Sequence, residues 1–469
     1  MPEPIHVLNA IGGTWAESHS GLRMDDIGPK DGTVVATLPR SNAEDVDAAV
    51  EAAEAAQPAW GARSIADRAD MLDRIADVME ANADALAELE ALDTGKPWEV
   101  ARHVDIDRCI RNFRFFADLG RHSTAQTFAM DDAMNHVVRK PVGVVGLISP
   151  WNLPLYLLTW KVAPALLMGN AIVAKPSEIT PLTAHRFCAL AQEAGLPDGL
   201  LNVLHGLGPE VGQPIVEHPR IAAISFTGGT ATGRMVAATA APMFKKLSLE
   251  LGGKNATVVL EDADLDTVVP GVVRAGFLNS GQICLCGSRI LVHRALYDAF
   301  LPRFVEAVEA FGIGPVISAA HRDKVEGYLK LAVEEGGTVL TGGQRGPGDG
   351  FHLSPAVVAN LPPDSRCATE EIFGPVVTLH PFDTEEEALA IANGTEYGLA
   401  GSVWTNDAER GRRFAERMET GMVWVNTWLH RDLRVPFGGV KHSGVGREGG
   451  EWSLGFFSEA VNICVADRP

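Results

Sequence analysis

Over the first hundred residues, apolar positions recur at three- and four-residue spacings, the pattern of helices that bury one face. Ser41 with Glu44 reads as a capping box ahead of Val46, Ala49, Val50 and Ala53, and predicts a helix to about Ala56. A second helix is expected after Ser64 with Asp67, burying Met71, Leu72, Ile75 and Met79. A third runs to about Leu92, where Gly95 and Pro97 stop it. Arg108 to Ala117 sets three arginines among aromatics at helical period, an ordinary amphipathic helix by pattern alone. From His122 to Lys140, Thr127-Phe128-Ala129 and His136-Val137-Val138 flank an Asp-Asp turn and predict a hairpin.

At Val142 the texture changes to short β-branched runs alternating with helical ones. Strands are predicted at 143–148, 171–175, 201–205, 222–226 and 256–260, and helices near 154–168, 181–194, 208–216 and 231–240. Such alternation implies an α/β fold whose parallel sheet is covered on both faces, with ligands bound beyond the carboxyl ends of the strands. A second α/β run spans about Ser288 to Asn426, and Ser458 to Ala466 is strand-like.

A chain of 469 residues exceeds one ordinary domain, so two or more lobes are expected. With 46% hydrophobic and 21% charged residues the composition is globular. A net charge of -20 argues against nucleic acid or an anionic membrane as partner, since both need a basic face. The six cysteines, at 109, 188, 284, 286, 367 and 464, show no paired ligand spacing, so neither a metal site nor a disulfide framework is expected. No secretory signal opens the sequence, and the expected location is cytoplasmic. The apolar span Val142 to Met168 carries Pro150, Asn152, Pro154, Lys161 and Pro164, which argue against a membrane helix.

Chemistry concentrates between Asn279 and Arg289, in Asn-Ser-Gly-Gln-Ile-Cys-Leu-Cys-Gly-Ser-Arg. Glycines at 276, 281 and 287 bracket Cys284, allowing tight turns and close approach of a substrate to the sulfur. Alone, Cys284 and Cys286 would pass for small core residues. Elsewhere, however, Asn152 in Ser-Pro-Trp-Asn and Glu250 in Leu-Glu-Leu-Gly-Gly-Lys supply what a thiolate reaction needs. No GxGxxG follows the first strand of the alternating run. The run Phe226-Thr-Gly-Gly-Thr-Ala-Thr-Gly233 instead ends a strand and opens a helix, whose free N–H groups favour phosphate oxygens.

Together these motifs resemble the aldehyde dehydrogenase superfamily: Gly281-Gln-Ile-Cys284 with Arg289, Glu250-Leu-Gly-Gly-Lys254, Pro150-Trp-Asn152, Glu370-Glu-Ile-Phe-Gly-Pro375 and Pro436-Phe-Gly-Gly439, in the family's order. The resemblance implies a Rossmann-like cofactor domain (1–121 and 142–251), a second α/β catalytic domain (252–451) and a small β oligomerisation element (122–141 and 452–469). In that element the terminal strand would pair with a neighbouring subunit of a homodimer or homotetramer. Cys284 is then the nucleophile, Asn152 with the Cys284 N–H the oxyanion hole, and Glu250 the base that hydrolyses a thioester. Coenzyme A-acylating members generally lack this glutamate. The implied cofactor contacts are Trp151, Lys175, Glu178, Gly208, Gly228, Gly229, Leu251, Glu371 and Phe373. Many members have serine at the position of Gly229. Glu178 would accept from ribose hydroxyls and repel a 2'-phosphate, favouring NAD over NADP.

The runs Ile148 to Lys161, Ile283 to Cys286 and Trp428 to Leu433 resemble the branch that oxidises 2-aminomuconic and 2-hydroxymuconic semialdehydes, small molecules with an aldehyde at one end and a carboxylate near the other. Arg431, where other branches carry an apolar residue, and Arg108 would meet that carboxylate, with Trp160 lining the tunnel. Three alternatives stand beside this reading. Arg431 pairs with Asp432 or Glu370 and is purely structural; the substrate is a general aliphatic or amino aldehyde; or the protein is a crystallin-like scaffold without catalysis. Between Phe311-Gly312 and Ile313-Gly314-Pro315 the chain is shorter than the family pattern, lacking a further Gly-x-Pro loop.

Overall fold

The computed structural model describes residues 3–466, and its helices begin where side chains can satisfy free backbone donors. Ser64 and Asp67 cap Ile65–Ala81 reciprocally. Ala83–Thr94 closes on Gly95, whose φ is 72° and where a Cβ would lie 2.7 Å from Pro315 Cγ, so no side chain fits. The first helix, Ala43–Gly61, starts one residue later than expected, capped by Asn42 and Asp45. Ser41 is buried instead, its hydroxyl accepting from Asn9 Nδ2 at 2.8 Å, so a tertiary bond removes it from capping. The arginine-rich helix runs Asp107–Arg121 and is entered through a π-helical stretch, Ala101–Ile106.

Five parallel strands form the centre of the first large sheet, in the spatial order Lys246–Glu250, Ile221–Thr227, Val144–Ile148, Ala171–Lys175, Leu201–Val203. Numbered along the chain this is 5-4-1-2-3, the doubly wound order, with its topological switch point between Val144–Ile148 and Ile221–Thr227. Antiparallel strands extend both edges: Asn9–Ile11 with Thr14–Ala16 on one, Gly444–Val445 on the other. Two elements depart from expectation. Lys246–Glu250 joins this sheet although no strand was predicted there; its Lys-Leu-Ser-Leu-Glu alternation of polar and apolar residues is a strand pattern. Ala256–Val259 leaves it for the second sheet, where it lies between Arg289–His293 and Ala400–Trp404.

That second sheet has seven strands, and only Thr338–Thr341 at its edge runs antiparallel. The terminal strand Ser458–Ala466 pairs along its whole length with Ala133–Pro141 of the same chain, and Gln126–Ala129 completes a three-stranded sheet. In that sheet Ser458–Ala466 is an edge strand, all nine of its residues paired on one side with the hairpin.

Within the apolar span, Val144–Ile148 is a strand and Pro154–Leu167 a helix, every residue of which is buried, Lys161 included. No helix among the described residues is long and apolar enough to cross a membrane.

Candidate active site

Cys284 sits on a loop built by backbone conformation. After the helix Leu265–Phe277, Asn279 and Ser280 adopt φ of 54° and 55°, and Gly281 follows at 70° with its Cβ position only 2.2 Å from the Gly374 carbonyl oxygen. Only glycine fits there. Asn255 Nδ2 pins the loop, donating to the carbonyls of Cys284 (2.7 Å) and Cys286 (2.9 Å). Cys284 is partly exposed. Burial, then the carboxylates of Glu250 and Glu371, hold its thiol above the usual range. Cys286 is buried, its thiol pushed up to about 12 by burial, as befits a packing residue.

Asn152 is not a helix cap. Leu153 occupies that position without a side-chain bond, and Pro154 follows at the first helical position. The Asn152 amide instead donates to the Gln282 carbonyl at 2.9 Å, two residues before Cys284. Glu250 ends its strand buried, with neither carboxylate oxygen hydrogen-bonded. Burial and then the nearby Glu448 raise its pKa well above the carboxylate range, opposed by Lys161. Lys161 Nζ donates to Glu448 Oε1 (2.7 Å) and Ser225 Oγ (2.8 Å). This buried pair beside Glu250 is not among the residues expected at the site from the sequence. Its signal was present: a lysine inside an otherwise apolar helix needs an anionic partner.

A cleft of about 470 Å³ opens at the switch point of the first sheet. Trp151, Lys175, Glu178, Gly208, Gly228 and Gly229 line it. Gly229 is the N-cap of Thr230–Ala240 with no side-chain bond, so free N–H groups face the opening. Lys175 Nζ donates to Glu178 Oε2 at 2.8 Å, and Lys175 is the only cation among the lining residues. Ser149 Oγ and Thr227 Oγ1 line the same cleft, buried and without a partner. Leu251, Glu371 and Phe373 do not line this cleft. Leu251 packs against Gly233 of the cleft helix. Glu371 Oε1 accepts from Gly253 N at 2.8 Å, and burial raises its pKa. Phe373, at φ 59°, meets the Trp151 ring edge-on at 5.3 Å, joining the second sheet's loop to the cleft wall.

Arg108 and Arg431 converge on one indole. Their guanidinium carbons lie 5.2 and 5.8 Å from the centre of the Trp160 ring, and Arg431 also stacks on Phe437 at 3.9 Å. Arg108 is buried and held by Asn112 through Nε at 2.8 Å, but its Nη2 has no partner, nor does Trp160 Nε1. Burial lowers the Arg108 pKa to about 10, with Arg431 adding repulsion. The carboxylates expected as structural partners of Arg431 are engaged elsewhere, Asp432 with Arg434 (2.5 Å) and Glu370 with Arg366 (2.7 Å).

The cysteine loop, with buried Glu250 near enough to raise the Cys284 thiol, and the cleft at the switch point make up the candidate site. The comparisons agree. The Aldehyde dehydrogenase family matches residues 15–463, and the chain belongs to that family. It is an oxidoreductase that acts on aldehydes. The 2-aminomuconic semialdehyde dehydrogenase of Mus musculus is 45% identical over 99% of both chains. The 2-hydroxymuconic semialdehyde dehydrogenase of Pseudomonas sp. (strain CF600) is 45% identical over 99% of this chain and 100% of its own. Betaine aldehyde dehydrogenase from Staphylococcus aureus, solved in complex with NAD+, superposes with a TM-score of 0.95 at 37% identity, covering 98% of this chain and 95% of its own.

Proposed function

We propose that the protein oxidises a carboxylate-bearing semialdehyde, 2-aminomuconic or 2-hydroxymuconic 6-semialdehyde, to the corresponding acid with NAD. The observation that carries the substrate is the pair of guanidinium groups on Trp160. Arg108 is buried and Arg431 half-buried; a buried cation left unpaired costs several kcal/mol, and a carboxylate from outside would offset that cost at Arg108 bidentately. The unpartnered Arg108 Nη2 and Trp160 Nε1 supply two further donors for it.

The cleft fits a dinucleotide: an uncapped helix N-terminus suits pyrophosphate, and the orphaned Ser149 and Thr227 hydroxyls await a polar ligand. Bound there, NAD supplies the hydride acceptor. Lys175 and Glu178 would hold the adenosine ribose, and Glu371 the nicotinamide ribose. The Glu178 carboxylate disfavours a 2'-phosphate, since the one lining lysine is already paired to it.

Cys284, partly exposed, gives its thiol proton to solvent water and as the thiolate bonds to the aldehyde carbon, the C=O π pair moving to oxygen, so that the resulting thiohemiacetal oxyanion accepts from Asn152 Nδ2 and the Cys284 N–H. Loss of hydride leaves a thioester on the sulfur. Glu250, once ionised, draws a proton from water; the water oxygen bonds to the acyl carbon, the C–S bond breaks, and the acid departs. Lys161 offsets the Glu448 charge that otherwise resists this ionisation.

NADH formation with 2-hydroxymuconic 6-semialdehyde and with a carboxylate-free aldehyde of similar length, in wild type and Arg431→Ala, tests the reading. Loss of the charge partner is expected to cost the carboxylated substrate on the order of 2 to 5 kcal/mol in kcat/KM and the neutral one little. Equal turnover of both aldehydes, unaffected by Arg431→Ala, would reduce the assignment to a general aldehyde dehydrogenase.

A further inference from the structure

Asn152 lies one residue ahead of the helix N-cap, so its carbonyl is outside the helical ladder and must be held by other donors. Two side chains do so: Asn279 Nδ2 at 3.0 Å and Lys96 Nζ at 3.3 Å. The first belongs to the left-handed turn that presents Cys284. The second comes from a different part of the chain, directly after the glycine that ends Ala83–Thr94.

Lys96 and Asp105 form an ion pair from which water is almost absent, their side chains 2% and 0% exposed. Asp105 stands in the π-helical stretch Ala101–Ile106, a strained geometry that tends to persist where a side chain has to be aimed. A third ionisable group, Glu90, is buried against the same lysine. Burial raises its pKa to about 7, opposed first by Lys96, and it accepts from the Thr183 hydroxyl at 2.8 Å. Apolar side chains would fill this space at lower desolvation cost, so stability alone is a poor reason for the pair.

We propose that Lys96 and Asp105 are positioning residues for the oxyanion hole: Asp105 fixes the lysine, and the lysine fixes the Asn152 peptide, so that the Asn152 amide faces the sulfur of Cys284. The proposal rests on the oxyanion role given to Asn152 above. It adds a support that comes from the amino-terminal helices rather than from the cysteine loop.

A double-mutant cycle on the rate of the first NADH turnover tests it, using Lys96→Met, Asn152→Ala and the double variant. Lys96→Met is expected to slow that turnover by about 100-fold, the scale of a displacement near 1 Å. In the Asn152→Ala background the same change should cost less than about twofold. NAD binding, followed by fluorescence, and alkylation of Cys284 by iodoacetamide, which needs no oxyanion hole, should stay as in wild type. Multiplying losses in the double variant, or a parallel fall in alkylation and NAD binding, would overturn the proposal. Should Lys96→Met fail to fold, Asp105→Asn, which frees the lysine from its anion, and Lys96→Arg, which keeps a cation in its place, enter the same cycle, and additive losses there overturn it equally. If Asn152→Ala itself leaves the first turnover unchanged, the oxyanion assignment fails and the positioning proposal falls with it, an outcome distinct from additive losses with a slow Asn152→Ala.

Discussion

Gly438→Ala tests the role of Glu250 without touching its charge. Gly438 has φ of 146°, and a Cβ built on it lies 2.7 Å from Glu250 Oε1 and 3.1 Å from Arg447 Cδ. Ordinary contact begins at 3.4 Å, so the carboxyl must recede by about 0.7 Å. The backbone region is costly for an L side chain, adding on the order of 1 to 3 kcal/mol of strain that lowers stability without removing the fold. A displacement of this size in a general base is expected to slow release of the acid by about 10- to 100-fold. Thiohemiacetal formation and hydride transfer precede that step and should be spared. Stopped-flow NADH fluorescence should therefore show a burst of about one equivalent per active site followed by a slow steady state. Glu250→Gln should show the same phases. A burst that slows as much as the steady-state rate would refute the reasoning, because the glutamate would then act at or before hydride transfer.

Glu448→Gln removes the anion that, after burial, does most to keep Glu250 protonated, and frees Lys161 to stabilise the ionised form. Because a nearby negative charge raises a carboxyl pKa and its removal lowers it, the acid limb of the steady-state pH profile should move to lower pH; a shift to higher pH would contradict the geometry. Glu178→Ala should narrow the preference for NAD over NADP, by about tenfold or more in relative kcat/KM, since it removes the like charge facing a 2'-phosphate and frees Lys175. An unchanged ratio would place the discrimination elsewhere.

Residue types and local periodicity were legible in the chain because they answer to neighbours a few positions away. Ser64 with Asp67 capped the helix that begins at Ile65, and the alternation from Val142 laid out the strands on either side of the switch point. The glycines around Cys284 were readable for the same reason, since a left-handed turn and a 2.2 Å approach exclude other residues whatever the fold. Where a distant partner intervened, the local pattern misled. Ser41 lost its capping role to Asn9, and Ala256–Val259, next in the alternation, joined the second sheet by pairing with Arg289–His293 and Ala400–Trp404.

By itself, then, the sequence determined which elements form, the order in which they alternate, and which side chains carry reactive atoms. Tertiary structure decided the states and partners of those atoms. Lys161 finds Glu448 from 287 positions away, Arg108 and Arg431 meet on Trp160 from opposite ends of the chain, and the Asn152 carbonyl is held by Lys96. Those outcomes depend on burial and on distances of a few ångströms, because the strength of a charge interaction is set by how much water remains between the groups. No spacing along a chain encodes that.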